Sequence, residues 1–257
     1  MSVRRVDYDQ IAANYDRRYQ TDRYPDAARI LKDWIDESPA GRLLEVGCGT
    51  GHWLHTLAGP GRTVLGLDRS AGMLAVARRV TADARLLRGD AMPLPFADRS
   101  IEALLCMNAF HHFPEKPGFI AEVSRVLSAG GAFCTIGLDP HRGRPRWPIY
   151  EYFEGTLAAD LERYPPCAMI REWLSEAGFA SISTQVGQHI RTSTPADATL
   201  RSPMMRKDGT SQLALLSTDA YQRGIEAIRR DAARAHDAGE TLVLETDLEL
   251  MATLAIR

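Results

Sequence analysis

Three acids stand at the ends of three apolar runs: Glu45 in RLLEV, Asp68 in TVLGLD and Asp90 in ARLLRGD. After the first run the chain turns through Gly47, Cys48, Gly49, Thr50 and Gly51 before a helical pattern begins. Glycines at such a turn let the backbone take positive φ and let a ligand approach the amides with no Cβ in the way. A nucleotide-like ligand is the chemistry this arrangement suits. The dinucleotide fingerprint is G-x-G-x-x-G or A, and counted from Gly47 its last position falls on His52. Here the spacing is G-x-G-x-G. Glu45 also lies where a dinucleotide would place its pyrophosphate, and a carboxylate repels phosphate. That carboxylate would attract a ligand carrying an ammonium and a sulfonium, and S-adenosylmethionine carries both. Asp68 follows the turn by about 20 residues, where an acid can accept hydrogen bonds from both ribose hydroxyls. NAD and S-adenosylmethionine share that ribose. Asp90 stands at the next strand end, placed to accept from an adenine amine.

Other groups could act on a second substrate. His111 and His112 in NAFHHF follow the fourth apolar run and could serve as a base near neutral pH for a phenol, enol or activated carbon; alternatively one caps a helix and the other packs on Phe113. Tyr15 and Tyr19 are four apart and share a helical face, as a lid attracted to a sulfonium or as an anchor for an N-terminal helix. Arg142, Arg144 and Arg146 could face an anionic acceptor or belong to a solvated loop. Trp147, Tyr150, Tyr152 and Phe153 could wall an acceptor pocket or form the core of their own segment. No metal is expected, because the seven histidines and four cysteines lack ligand spacing.

Strand and helix signals must place these groups. Within 257 residues, 45 % hydrophobic and 25 % charged, the chain fits one large domain. Strands are expected near 42–46, 63–67, 84–88, 101–107 and 131–138, with helices near 51–58, 71–80 and 117–127, which is the alternation of βα units on a parallel sheet. From 141 to 166 the chain is rich in Pro, Arg and aromatics and reads as an insertion over the sheet. A helix capped by Gly178, a strand near 180–187, a helical segment over 195–238 ending at Gly239 and a closing strand complete the pattern. The expected fold is α/β, Rossmann-like, with a seven-stranded, mostly parallel sheet, helices on both faces and a helical cap. It divides into an N-terminal cap (1–38), a cofactor-binding core (39–140), a cap insertion (141–166) and the rest of the sheet with its helical insertion (167–257). Thirty-one Lys and Arg against thirty-three Asp and Glu exclude a global field for nucleic acid or anionic lipid. No run reaches the roughly 20 apolar residues of a membrane span. The opening MSVRRVDYDQ lacks a secretory h-region, and Cys48, Cys106, Cys134 and Cys167 lack CxxC spacing, so a cytoplasmic protein with reduced thiols is expected, as a monomer or homodimer.

The stretches LLEVGCGTG, VLGLDRSAGML, RGDAMPLPFADRSIEALLCMNAFHHF and EVSRVLSAGGAF resemble, in order and spacing, the class I S-adenosylmethionine-dependent methyltransferases, in particular the methyltransferase type 11 group similar to ubiquinone and menaquinone C-methyltransferases. The opening YDQIAANYDRRY resembles that group's N-terminal cap. The resemblance implies that Glu45, Gly47 and Gly49, with Cys48 and Gly51 in the same turn, flank the methionine part. It implies that Asp68 holds the ribose, with Arg69 next to it among the cofactor-binding residues, that Met73 packs near the adenine, that Asp90 and Ala91 bind the adenine edge, and that Asn108 with Ala109 closes the site. Glu102 and LSAGG depart from the group's usual Asp and Leu-basic-Pro-Gly-Gly turn. The implied activity is in-line methyl transfer to a small-molecule acceptor. An NAD-dependent oxidoreductase on the same sheet and a non-catalytic S-adenosylmethionine-binding protein are the rival readings.

Overall fold

A computed structural model describes residues 6–15, 24–38, 41–143 and 145–257. The strands β1 (Arg42–Val46), β2 (Thr63–Asp68), β3 (Arg85–Arg88), β4 (Ile101–Met107) and β5 (Leu127–Leu138) pair in parallel, and the central β1, β2 and β4 are buried runs without polar alternation, as a parallel sheet requires. Two further strands, β6 (Ala180–Pro195) and β7 (Val243–Ile256), complete one seven-stranded sheet of order β3-β2-β1-β4-β5-β7-β6. β7 is antiparallel to both its neighbours. The fold class expected from the sequence is thus the one observed.

Successive side chains of a strand point to opposite faces, and helices cover both. Leu43, Ala103, Leu105 and Met107 pack toward α2 (Pro25–Glu37) and α3 (His52–Leu57) through Leu31, Trp34, Ile35 and Leu54. Leu44, Val46, Leu104 and Cys106 pack on the other face toward α5 (Lys116–Val126) and α8 (Cys167–Glu176) through Phe119, Ile120, Val123 and Leu174. The strand order reverses between β1 and β4, and a crevice opens at their carboxyl ends. Two elements bear on that crevice: α4 (Ala71–Val80), capped by the Ser70 hydroxyl accepting from the Met73 amide at 3.0 Å, and α1 (Tyr8–Tyr15).

Two boundaries differ from expectation. β5 starts at Leu127, four residues early, because Gly130, at φ +73°, carries the chain through the LSAGG bend while its amide reaches the Arg257 carbonyl at 2.8 Å. β6 runs eight residues past the expected 187. β7 supplies it with partners as far as Pro195↔Val243, whereas β5 reaches only Leu138↔Leu250. The outer parts of β6 and β7 therefore form a two-stranded ribbon projecting beyond the sheet. Over it lie α6 (Pro148–Tyr152) and α7 (Thr156–Arg163) from the 141–166 segment, and α9 (Ala196–Arg201), α10 (Ser211–Leu215) and α11 (Thr218–Asp237) from the segment expected to be helical. These share their own core of Ile149, Phe153, Met205, Leu213, Ile225, Ile228 and Leu244. Gly178 and Gly239, at φ +84° and +75°, follow the ends of α8 and α11 as capping glycines should.

Candidate active site

The turn after β1 is built on positive φ: Gly47 at +75°, Gly49 at +52° and Gly51 at +83°. Each glycine has a different reason. A Cβ on Gly47 would lie 2.4 Å from the Ala109 Cβ, so only glycine lets the β1 and β4 ends approach. Gly49 faces open space, and its amide donates to Asp68 Oδ2 at 2.8 Å. Gly51 precedes α3, and its missing side chain makes room for Thr81 and Ala77, the nearest at 3.0 Å. It is not on the cavity wall, which corrects its expected place beside a ligand.

Above the turn lies a cavity of about 350 Å³. Its walls carry Glu45, Gly47, Cys48 and Gly49 from the turn, Asp68, Arg69 and Met73 from β2 and α4, and Asp90 and Ala91 after β3. Asn108, Ala109 and His112 close it from the β4 end, and Val6, Tyr8 and Tyr15 cover it from the N-terminal segment. Tyr19 and Arg144 lie outside the described residues.

Asp68 braces its own loop: Oδ1 accepts from the Ser70 amide at 2.8 Å while Oδ2 holds Gly49. Burial raises its pKa, partly opposed by those two amides. Glu45 is 2 % exposed, and its Oε2 has no hydrogen-bond partner among the described residues. Burial, and next the nearby Asp68 charge, push its pKa well up. A carboxyl held that way in an open-sided cavity is an acceptor waiting for a cationic or donor-bearing ligand. Burial likewise holds the Cys48 thiol neutral, which removes it as a nucleophile. Asn108 sits at φ +50°, a conformation Asn tolerates, with its amide donating to the Ile136 carbonyl at 2.7 Å.

The two histidines diverge. They form a 3₁₀ turn, Phe110–His112, with ring centroids 3.9 Å apart. His112 faces the first cavity and shares a 2.6 Å hydrogen bond between Nε2 and the Tyr8 hydroxyl. His111 faces a second cavity, also about 350 Å³, stacked on Tyr164 at 4.0 Å with Nε2 3.2 Å from its hydroxyl. Tyr8, Tyr15 and Asn108 line both cavities, so the two adjoin.

The 141–166 aromatics divide as well. Trp147 lines the second cavity, Tyr150 donates its hydroxyl to Asp160 at 2.7 Å, and Phe153 stacks on Tyr221 in the outer core. Tyr152 packs against that same core. Arg142 and Arg146 pair with Glu249 and Glu245 on the surface, so they do not form a row facing an acceptor.

Sequence reasoning passed over Tyr8, Tyr164 and Asp9. The Asp9 carboxylate accepts from the Ser70 hydroxyl at 2.6 Å and the Gly72 amide at 2.7 Å, latching α1 to the start of α4. Those hydrogen bonds lower its pKa. The Tyr8–Tyr15 spacing across two helical turns is the one local signal that could have exposed Tyr8; its ring lies 6.0 Å from that of Tyr15. Among the described residues no group of three His, Cys, Asp or Glu gathers as for a metal ion.

A family model described as a methyltransferase domain matches residues 44–135, from β1 into β5. Demethylmenaquinone methyltransferase of Renibacterium salmoninarum is 28 % identical over 68 % of this chain and 83 % of its own. Fatty-acid O-methyltransferase of Mycolicibacterium smegmatis is 32 % identical over 54 % of this chain and 60 % of its own. A crystal structure from Anabaena variabilis, described as a methyltransferase of an antibiotic biosynthesis pathway, superposes with TM-score 0.68 at 20 % identity over 89 % of this chain and 95 % of that one. None of these matches supports an NAD-dependent oxidoreductase. The chain carries a methyltransferase domain at residues 44–135, and the relatives it matches are named as methyltransferases.

Proposed function

We propose that the first cavity binds S-adenosylmethionine and that the second holds a small-molecule acceptor. The observation that carries this reading is the shared wall: a nucleoside-sized cavity holding a buried carboxyl, one oxygen of which has no hydrogen-bond partner among the described residues, adjoins a second cavity across Tyr8, Tyr15 and Asn108. The residues fit the cofactor. Glu45 offers a buried acceptor to an ammonium or sulfonium, Gly49 leaves space beside its amide, and Asp68 and Asp90 stand toward the ribose and adenine, with Arg69, Met73, Ala91 and Ala109 around them. Bound there, S-adenosylmethionine would supply an electrophilic methyl carried on a positively charged sulfur that leaves as the neutral thioether. The chain's part is to align, exclude water and receive a proton.

Tyr8 and Tyr15 would cover the junction and attract the sulfonium by cation–π contact. On the acceptor side His111 would take the proton of a hydroxyl or activated carbon, with Tyr164 as a positioning residue stacked on it. His112, bonded to Tyr8, would hold the lid. The matched relatives are named for demethylmenaquinone and fatty acid, which supports a small-molecule acceptor. No helix among the described residues is long and apolar enough to cross a membrane. We place the reaction in the cytoplasm, on the four free thiols, and expect a monomer or homodimer without nucleic-acid partners, on the net charge of -2.

Incubating the full chain with methyl-labelled S-adenosylmethionine and a pool of small metabolites tests the reading by mass spectrometry. S-adenosylhomocysteine and a labelled product are expected together. Tight cofactor binding with no S-adenosylhomocysteine from any pool would instead make this a cofactor-binding protein without turnover.

A further inference from the structure

The first turn of α4 is capped twice, once from its own segment and once from another helix. Ser70, the N-cap, accepts from the Met73 amide at 3.0 Å. The Gly72 amide, one of the donors an α-helix leaves open at its start, reaches across to α1 and donates to Asp9 Oδ1 at 2.7 Å. A carboxylate there also meets the positive end of the helix dipole. The two helices touch closely at this point. A Cβ on Gly72 would lie 3.1 Å from the Asp9 carbonyl oxygen and 3.2 Å from its Cα, so only glycine lets the α1 backbone come down on α4. Beside this contact Val6, Ile11 and Ala12 share a small core with Met73.

The same Asp9 oxygen is tied to the first cavity by a second route. It accepts from the Ser70 hydroxyl at 2.6 Å; the Ser70 amide donates to Asp68 Oδ1 at 2.8 Å, and Asp68 Oδ2 holds the Gly49 amide at 2.8 Å. A hydroxyl carries one proton, and its acceptor decides where that proton points. With the proton committed to Asp9, the Ser70 oxygen presents a lone pair to Met73, and its amide stays aimed at Asp68. The chain Asp9–Ser70–Asp68–Gly49 therefore runs from the covering helix to the glycine turn. Its two ends differ in place. Asp68 and Gly49 line the first cavity, whereas Asp9 and Ser70 line a polar cleft beside it that shares Tyr8, Arg69, Gly89 and Asp90 with the cavity wall.

We propose that Asp9 is a positioning residue for the cofactor: through Ser70 and Gly72 it makes the docking of α1 and the aim of the Asp68 carboxylate one state. The proposal rests on the reading of the first cavity as the cofactor site. When Asp9 lets go, α1 and Asp68 vary independently, the fraction of molecules competent to bind falls, and apparent affinity falls by the same factor. A ligand beneath α1 then leaves faster.

Calorimetry and stopped-flow dissociation of S-adenosylhomocysteine from the full chain test it. Asp9→Ala is expected to weaken binding about tenfold, mostly through faster dissociation, although this side chain lies outside the cavity. Asp9→Asn keeps an acceptor for both donors and is expected to return affinity to within about threefold of the natural chain. Ser70→Ala is expected to weaken binding as Asp9→Ala does, and the double variant to lose no more than about twofold beyond the weaker single, because both act on one path. Gly72→Ala separates positioning from stability. Alanine is the better helix former, so the ligand-free thermal midpoint is expected to hold, while the added Cβ lifts α1 and binding weakens. Unchanged affinity in Asp9→Ala or Gly72→Ala, a loss that Asp9→Asn does not recover, or losses that multiply in the double variant each overturns the proposal. Failure of the natural chain to bind S-adenosylhomocysteine would instead overturn the cofactor reading, so the two failures are distinguishable. Should Ser70→Ala not fold, the two Asp9 variants and Gly72→Ala decide.

Discussion

At the scale of single residues, the first cavity holds two carboxyls in different states. Asp68 is engaged on both oxygens by the Gly49 and Ser70 amides, so it fixes the loop as well as facing the cavity. Asp68→Ala would orphan both amides and remove the proposed ribose acceptor. Calorimetry is expected to show S-adenosylmethionine affinity falling by about 1–3 kcal/mol, the range for an unpaired buried polar partner; unchanged affinity would contradict the placement. Glu45 behaves otherwise, because burial and the Asp68 charge raise its pKa. The ligand-free fold holds its proton more tightly than the unfolded chain does. Ligand-free stability attributable to Glu45 should therefore fall as pH rises from the ordinary carboxylate range toward the raised value. A cationic ligand reverses the shift and expels the proton. Affinity for S-adenosylmethionine should accordingly climb through that same pH window, and Glu45→Gln should flatten the climb. A slope retained in Glu45→Gln would assign it to another group. Glu45 and Asp68 were legible in the sequence because a strand end and a glycine turn are local features. That its Oε2 lacks a hydrogen-bond partner among the described residues was not, since that depends on what packs around it.

At the scale of elements, local pattern served where one strand or helix answers to its own hydrophobic period. It placed β1, β2, β4 and α4, whose burial is set by the two faces of the central sheet. It stopped β6 at the residue where TQVGQHIRTSTP turns polar, although threonines can face a cavity as readily as solvent. The outer helices depend on a contact no local pattern shows. A Cβ on Gly224, in the middle of α11, would lie 2.3 Å from the Phe153 ring. Gly→Ala at an open helical site gains up to about 1 kcal/mol. Here Phe153 is only 1 % exposed and stacked on Tyr221, so it has little room to yield. Gly224→Ala should destabilise by about 1–3 kcal/mol through overpacking, read as a lowered denaturant midpoint with unchanged slope. A raised midpoint would mean that α11 is not seated on Phe153.

At the scale of the whole molecule, the chain brings together groups that lie far apart in sequence. The second cavity takes Tyr8 and Tyr24 from the N-terminal part, His111 from the β4 end, Trp147 and Tyr164 from the insertion, and Thr192 and Thr246 from the ribbon. No spacing rule links those segments, so sequence reasoning named His111 with His112, and Trp147 with its neighbouring aromatics, as separate acceptor candidates and missed the enclosure that His111 and Trp147 share. The first cavity was far more legible, because its acids recur at consecutive strand ends and the strand order brings those ends to one crevice. The space beside Glu45 is proposed to hold a sulfonium nucleoside rather than a pyrophosphate. Titrating the purified chain with S-adenosylmethionine, and separately with NADH, in two buffers of different ionisation enthalpy tests this most directly. Saturable binding of S-adenosylmethionine, with proton release below the raised Glu45 pKa and no heat from NADH, is the predicted result. Binding of NADH with silence toward S-adenosylmethionine would contradict it.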